Sequence, residues 1–545
     1  MGCVSIPFRR LPHQPKLFLR LLDDFSSVAN FYTHPPTLEA ITKVAKELDF
    51  PADRRKQVAA VLRETNAALG GGEAAQHNLT RLEHGAVAIV SGQQVGLFGG
   101  PVYAFYKALS AIRIAEELTA TGIDAVPVFW MATEDHDLDE VRHVSFFKSG
   151  KLTRFELSAG SEAGRPVGRV QLGSGVDEIT KAAVDLLAGT ASGDVARFLQ
   201  QSYRPEETYG SAFGKLFARV FADQGLILLD PLDARLHQIA APVYRQALED
   251  RDQLNEKLLR RGKELEVAGY EPQVKVGVTN TLLFHIKDNV RQPIVARNEP
   301  YASGGAGGFK SGDITWTREE ALRLAESAPE AFSPNALLRP VLQDYLLPTV
   351  AFSAGSSEIS YLAQSQVVYQ HILGRAPVIL PRADFTILDA KADKILQKYH
   401  LCIEAVWTGP QELRRQMEAV SLPKELAEEF DRKKSLVEST LAQLGEDIQK
   451  LDATLAGAVT TAKEKMTFQL EKLREKTGRA LDERAGLISE HAEFLENLLY
   501  PNKTLQSRDL CFLPFLAQWG PDGLNQLKDL AASENLKEHR IARMP

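Results

Sequence analysis

Apolar and polar positions alternate in a pattern that frames the chain between residues 86 and 144. Residues 86–90 read Ala-Val-Ala-Ile-Val, an apolar run of the kind a strand buried on both faces requires. A glycine-rich turn follows, with Gly92, Gly96, Gly99 and Gly100 before Pro101. From Pro101 the pattern changes to a helical period and holds to about Leu118. Proline suits the first turn of a helix, because the N–H it lacks would be unpaired there anyway. Ala104, Ala108, Ala111 and Ala115 form one small-residue face, and Tyr103, Lys107 and Ser110 form a polar stripe beside it. A second apolar run, Ala125–Met131, ends in Glu134, Asp135, His136 and Asp137. Strand, turn, helix and strand make a βαβ unit.

The same rhythm returns far downstream. Asn335, Arg339 and Gln343 lie on one predicted helix, with Arg339 and Gln343 one turn apart. Residues 349–352 read as a strand, residues 353–358 as a small-residue turn, residues 358–373 as a helix and residues 377–380 as another strand. The pattern therefore predicts an α/β fold whose sheet is built from two halves, 86–157 and 332–385, split by an inserted region, 158–331. Residues 1–85 read as a helical segment packing on the core. Within the insertion, residues 234–268 read as helix, residues 275–278, 281–286 and 291–296 as strand-like, and residues 303–308 as a flexible glycine loop in a hairpin. Thr317 and Glu320 form a capping box.

From 386 to 500 the period changes again. Val437, Leu441, Leu444, Ile448, Leu451, Leu455, Ala458 and Ala462 step by four and three, which is a heptad seam. The rhythm slips once and resumes at Met466, Leu470, Leu473, Thr477 and Ala480. A single helix over 424–498 would exceed ~100 Å at ~1.5 Å per residue. A helical hairpin is expected instead, turning at 451–454, where Asp452 and Thr454 can cap a new start. The tail, 501–545, is apolar enough to return to the core.

Composition narrows the classes. With 44% hydrophobic and 25% charged residues among 545, the chain is an ordinary globular protein. A net charge of −7 argues against a nucleic-acid protein held by bulk charge. No run approaches the ~18 apolar residues of a membrane span, and the N-terminus has no signal-peptide core. The Met-Gly start resembles a myristoylation signal but places Ile6 where Ser or Thr belongs. Cys3, Cys402 and Cys511 are odd in number and far apart. Neither a disulfide framework nor a cysteine metal site is expected, in keeping with a reducing cytoplasm.

Four separated stretches carry a resemblance: SGQQVGLFGGPVYAFYKALSAI; VPVFWMATEDHDLDEV; FSPNALLRPVLQDYLLPTVAF with SSEISYLAQ; and YPNKTLQSR with FLPFLAQWGP. Together they resemble the bacillithiol biosynthesis cysteine-adding enzyme family. The resemblance implies a Rossmann-like core of nucleotidyltransferase type with inserted connecting-peptide segments, and a C-terminal coiled coil that forms a homodimer. It also implies a reaction joining the carboxyl of cysteine to the amine of glucosaminyl-malate, with ATP and Mg²⁺ as cofactors.

Residue roles rest on chemistry rather than on that resemblance. Free N–H groups and the dipole at a helix start favour an anion. Gly92, Gly96, Gly99, Gly100 and Lys107 are therefore expected to hold a nucleotide phosphate. Glu134, Asp135 and Asp137 either bind the ammonium of a substrate or hold Mg²⁺; the competing reading is that Asp135 or Asp137 caps the next segment. His136, with an unperturbed pKa near ~6.5, is the candidate general base, or else an oriented core histidine. Asn335, Arg339 and Gln343 are expected to grip malate carboxylates, unless Arg339 serves a structural salt bridge. Gln93, Gln94, Tyr103 and Glu358 complete the substrate-binding set. No resident metal site is expected. A scaffold without catalysis would explain the heptads but not the polar clusters after both core strands.

Overall fold

The computed structural model describes residues 4–158, 164–297, 307–420 and 424–544. Its centre is a five-stranded parallel sheet made of β1 (Val87–Gln93), β2 (Ala125–Met131), β3 (Ile227–Leu229), β4 (Thr349–Ala354) and β5 (Val378–Pro381). The spatial order is β5-β4-β1-β2-β3. β1 runs in register with β2 from Val87 opposite Ala125 to Gln93 opposite Met131, and it borders β4 through Ile89 and Ala351. All of β2 and β4 and nearly all of β1 are buried. That explains why these strands read as unbroken apolar runs rather than alternating ones. The two predicted halves thus share one sheet. Its order reverses between β1 and β4, and in open parallel sheets ligands bind in the crevice at such a reversal.

Helix α1 (Tyr103–Ala120) lies against β1, β2 and β4. Ala104, Ala108, Ala111 and Ala115 are all buried, so the helix approaches the sheet closely. The neighbouring stripe is not a solvated face, because Lys107 and Ser110 are buried too. Helix α2 (Arg339–Leu346) precedes β4, and helix α3 (Ser356–Ile372) follows it. The N-terminal helices Leu38–Glu47, Ala52–Ala68 and Glu73–His84 pack on the strands of the same sheet.

The insertion carries its own antiparallel sheet, ordered Ile314–Thr317, Gly308–Ser311, Val290–Arg297, Asn280–Lys287, Phe332–Pro334. Three local expectations change here. The helix read over 234–268 breaks at Asp250 into Ala234–Glu249 and Arg251–Val267. Residues 275–278 form an extended strap outside the sheet, tied down just before it where Val274 N–H donates to Gln364 Oε1 at 3.0 Å. The segment before α2 supplies an edge strand, where Pro334 removes no ladder bond a neighbour needs. Most of the glycine loop at 303–308 and the Met-Gly start lie outside the described residues.

The chain ends close a further sheet in which Glu538–Arg543 lies between Val4–Pro7 and Phe385–Leu388. From 424 the helices Lys424–Leu451 and Ala456–Ala485 form a hairpin, and Asp452 Oδ1 accepts from the N–H of Thr454 at the turn. The seam differs from the heptad reading in detail. A Cβ on Gly445 would come within 2.9 Å of Val459, so the two helices approach closely there. Leu444, Leu451, Leu455, Met466 and Leu473 face outward. The apolar stripe is therefore wider than one hairpin can cover.

Candidate active site

The reversal point of the central sheet opens into a cavity of about 880 Å³. β1 delivers Gly92 and Gln93 to its floor. The turn after β2 delivers Glu134 and Asp135, the loop into α2 delivers Asn335 and Arg339, and the start of α3 delivers Gly355 to Glu358. The insertion closes one side with Arg291 and Phe284, and the tail brings Arg508. Two halves of one sheet, the insertion and the C-terminal tail thus converge on one space.

Both signs of charge line it. Gln94 Nε2 donates to Asp135 Oδ2 at 2.8 Å and to Glu140 Oε2 at 2.9 Å, gathering two carboxylates. Glu134 lies deeper, at 5% exposure, and its Oε1 has no hydrogen-bond partner among the described residues. Burial pushes its pKa up to about 7, with Arg291 opposing the shift. A buried oxygen without a partner is rare enough to require a reason. Arg339, Arg382 and Arg508 line the cavity too, as does the first turn of α3. Arg339 Nη2 donates to Tyr361 Oη at 2.8 Å. These groups suit anions, because guanidinium forks and a helix start both favour them.

Lys107 joins β1 to α3. Its Nζ donates to Gly92 O and to Gln93 Oε1, each at 2.8 Å, and pairs with Glu358. All three of its protons are thereby committed within the chain. Burial pulls the Lys107 pKa down. Burial pushes the Glu358 carboxyl up, but Lys107 and then Arg339 hold it below its ordinary value. Glu358 also accepts from the N–H of Gly355 at 2.8 Å. Lys107 and Glu358 therefore fix the shape of the crevice.

The glycine turn differs from the expected phosphate cradle. Gly99 N–H donates to Tyr203 Oη at 3.0 Å, Gly100 N–H to Leu97 O at 2.9 Å, and Gly96 N–H to Gln94 O at 3.0 Å. Of the four glycines Gly92 alone lines the cavity. Gly99 takes a φ of +88°, and a Cβ there would meet Phe105 at 2.8 Å. These glycines serve the packing of the turn against the core.

Other expected positions separate. Gln343 is buried behind the sheet, donating to Asp344 Oδ1 at 3.0 Å, and does not reach the cavity. Asp137 accepts from the N–H of Glu140, capping the short helix Leu138–Val141. His136 sits just outside, where Arg291 Nη1 donates to its Nδ1 at 3.0 Å. Burial and then Arg291 lower its pKa, so it orients Arg291 as a neutral ring. Asn335 lines the cavity, while its Oδ1 accepts from the N–H groups of Leu337 and Leu338 ahead of α2. Gln93 donates to Tyr103 Oη at 3.1 Å, and both line the space. Residues 1–383 match the family described as "Bacillithiol biosynthesis BshC, N-terminal Rossmann-like domain", and residues 385–544 match its C-terminal coiled-coil domain.

The chain belongs to the bacillithiol biosynthesis BshC family.

Relatives in the BshC family align along nearly the whole chain. The chain is 41% identical over 540 residues to a protein of Koribacter versatilis, covering 99% of each. It is 35% identical to one of Solibacter usitatus, again over 99% of each, and 30% identical to one of Salinibacter ruber over 94% of each. All three carry the name "Putative cysteine ligase BshC". The family matches also support the Rossmann-like core and the coiled coil that the motifs implied. Among the described residues no helix is long and apolar enough to cross a membrane.

Sequence reasoning missed Arg291, Arg382, Glu140 and Arg508. Arg508 lies within one of the four resembling stretches and was within reach. Arg291 sits in an ordinary polar strand with no local signal.

Whether a nucleotide fits can be judged from the donor set. Arg339, Arg382, Arg508 and the start of α3 suit its phosphates; the glycine turn does not. Among the described residues no three His, Cys, Asp or Glu side chains converge on a metal position. Mg²⁺ would thus enter on the phosphates, with Asp135 and Glu140, which Gln94 gathers, as a carboxylate pair in the cavity.

Proposed function

We propose that this chain is a cytoplasmic, ATP-dependent ligase that joins L-cysteine to the amine of glucosaminyl-malate in bacillithiol biosynthesis. The observation that carries the reading is Glu134, a buried carboxyl with a pKa near 7 and an unpartnered oxygen, set in a cavity that Arg339, Arg382 and Arg508 also line. Amide formation needs both a base and a seat for anionic groups. Bound ATP would supply the phosphoryl or adenylyl group that makes the cysteine carboxyl a good acyl donor. Arg339, Arg382 and Arg508 hold the anionic groups that nucleotide and malyl moiety carry. The amine attacks the acyl carbon, the C–N bond forms, and the phosphate or AMP departs with the electrons of the broken C–O bond. Glu134 takes the proton the amine sheds, a role suited to a base titrating near the working pH. Asp135 and Glu140 receive a substrate ammonium or the cation on the phosphates. Arg291, turned by His136, closes the cavity from the insertion.

We also read the outward apolar residues of the hairpin as the seat of a second copy, making a homodimer, since exposed apolar stripes of this length call for a cover. The reading is tested by incubating purified protein with ATP, Mg²⁺, cysteine and synthetic glucosaminyl-malate and following products by mass spectrometry. An amide formed together with ADP or AMP is expected. Cysteine and glucosaminyl-malate left unchanged by folded protein would overturn it.

A further inference from the structure

Arg382 reaches the cavity from a segment whose conformation depends on the far end of the chain. It follows β5, and its guanidinium lies 5.7 Å from the centre of the Tyr103 ring, which also lines the cavity. Nη1 donates to Asp384 Oδ1 at 2.6 Å and to Ala383 O at 2.8 Å. Among the described residues Nε and Nη2 have no hydrogen-bond partner, so the fork keeps donors for a ligand. Asp384 is itself bonded on its second oxygen: Oδ2 and His539 Nδ1 are 3.0 Å apart. His539 Nε2 lies 2.8 Å from Thr386 Oγ1, and the histidine is 1% exposed. Burial would push the Asp384 carboxyl up, yet Arg382 and His539 hold it well below the ordinary range.

Strand pairing sets this chain of contacts. Glu538–Arg543 runs parallel to Phe385–Leu388 with Phe385 opposite Arg540, and Arg540 N–H donates to Asp384 O at 3.0 Å. The register places His539 beside Asp384. A carboxylate bonded at one oxygen only can rotate, and the guanidinium it holds then rotates with it. Bonded at both oxygens, it presents Arg382 in one orientation.

We infer that His539 is a positioning residue: through Asp384 it fixes the Arg382 guanidinium, so the C-terminal strand completes the anion-binding set of the cavity. The inference rests on the proposed use of that set for anionic substrate groups. The test is chosen so that the two fail separately, because binding is read directly and without turnover. His539→Ala removes the bond to Asp384. His539→Asn keeps a side-chain N–H donor where Nδ1 stands. Calorimetric titration of each folded variant with glucosaminyl-malate, and separately with ATP and Mg²⁺, reports affinity. Where turnover is observed, KM and kcat are compared.

The expected result is at least tenfold weaker binding of one anionic ligand to His539→Ala, with kcat within about twofold of the parent. His539→Asn should recover most of that affinity. In an Arg382→Ala background, His539→Ala should cause no further loss, since its effect passes through Arg382. Unchanged affinity for both ligands in His539→Ala would overturn the inference, as would a loss that adds in full to that of Arg382→Ala. Should His539→Ala fail to fold, the asparagine variant decides together with His539→Gln, whose longer side chain misplaces the donor: equal affinity in both variants would contradict the inference.

Discussion

Replacing Glu134 with glutamine gives the sharpest test of the electrostatics. The side chain is 5% exposed, and burial moves its pKa from 4.5 to about 7. The folded protein therefore prefers the protonated form, while the unfolded chain ionises near the ordinary value. Its contribution to stability is intact below the unfolded pKa and is lost as the pH rises through the folded one. The shift of 7 − 4.5 = 2.5 converts at ~1.36 kcal/mol per pKa unit to ~3.4 kcal/mol. About 2.5 kcal/mol of that accrues between about pH 5 and about pH 8, an order-of-magnitude figure. Glutamine has nearly the shape of the protonated acid and does not titrate. Glu134→Gln should match the parent in acid and exceed it in stability at alkaline pH. Calorimetric melting of both proteins at matched pH values reads the gap directly. A gap that stays constant, or narrows as the pH rises, would refute the assignment of Glu134 as a buried group titrating near neutrality.

Three further outcomes follow from the same geometry. Lys107→Met removes the cation from Glu358, whose side chain is 21% exposed, and should cost about 3 kcal/mol, the low end for a buried pair. Adding Glu358→Gln should recover part of the loss, and full additivity in denaturant melts would contradict the pairing. Gly99→Ala forces a φ of +88° on a residue with a Cβ, against Phe105, and should cost about 1–2 kcal/mol from the backbone alone. ATP affinity should be unchanged in the protein that remains folded; loss of binding without loss of stability would return the glycine turn to the nucleotide. Leu436→Glu together with Leu444→Glu alters outward positions of the hairpin that are 57% and 51% exposed. This variant should sediment as a monomer with an unaltered core melting point, whereas a parent that is already monomeric would remove the dimer.

Much of the fold could be read from the chain because its central strands are buried on both faces. Such strands leave apolar runs that do not depend on register, so β1, β2 and β4 stand out. Long helices leave a period, and the hairpin turn was marked by Asp452 and Thr454. The break at Asp250 and the sheet made from both chain ends leave no such mark, since tertiary pairing decides them. The site divided along the same line. Glu134, Asp135 and Arg339 stand at strand ends and at the start of α2, where topology alone predicts a ligand. Gly99 and Gln343 have the right residue type at a plausible spacing, but the Gly99 N–H and the Gln343 amide nitrogen bond inside the core, and Gln343 Oε1 is buried there without a partner among the described residues. Lys107 was expected to hold a phosphate, and only its three contacts within the chain show that it braces the crevice. Arg291 and Arg382 owe their positions to contacts 155 and two residues away, with His136 and Asp384, and the first of these is invisible to any local pattern.

The central claim is that the crevice between β1 and β4 performs amide formation with Glu134 as its base. The most direct measurement is the rate of amide formation from cysteine and glucosaminyl-malate by Glu134→Gln beside the parent, at saturating ATP and Mg²⁺. A loss of about 10²-fold or more in kcat, the range for a removed general base, is expected, with substrate affinities retained. A variant that forms the amide at the parental rate would contradict it.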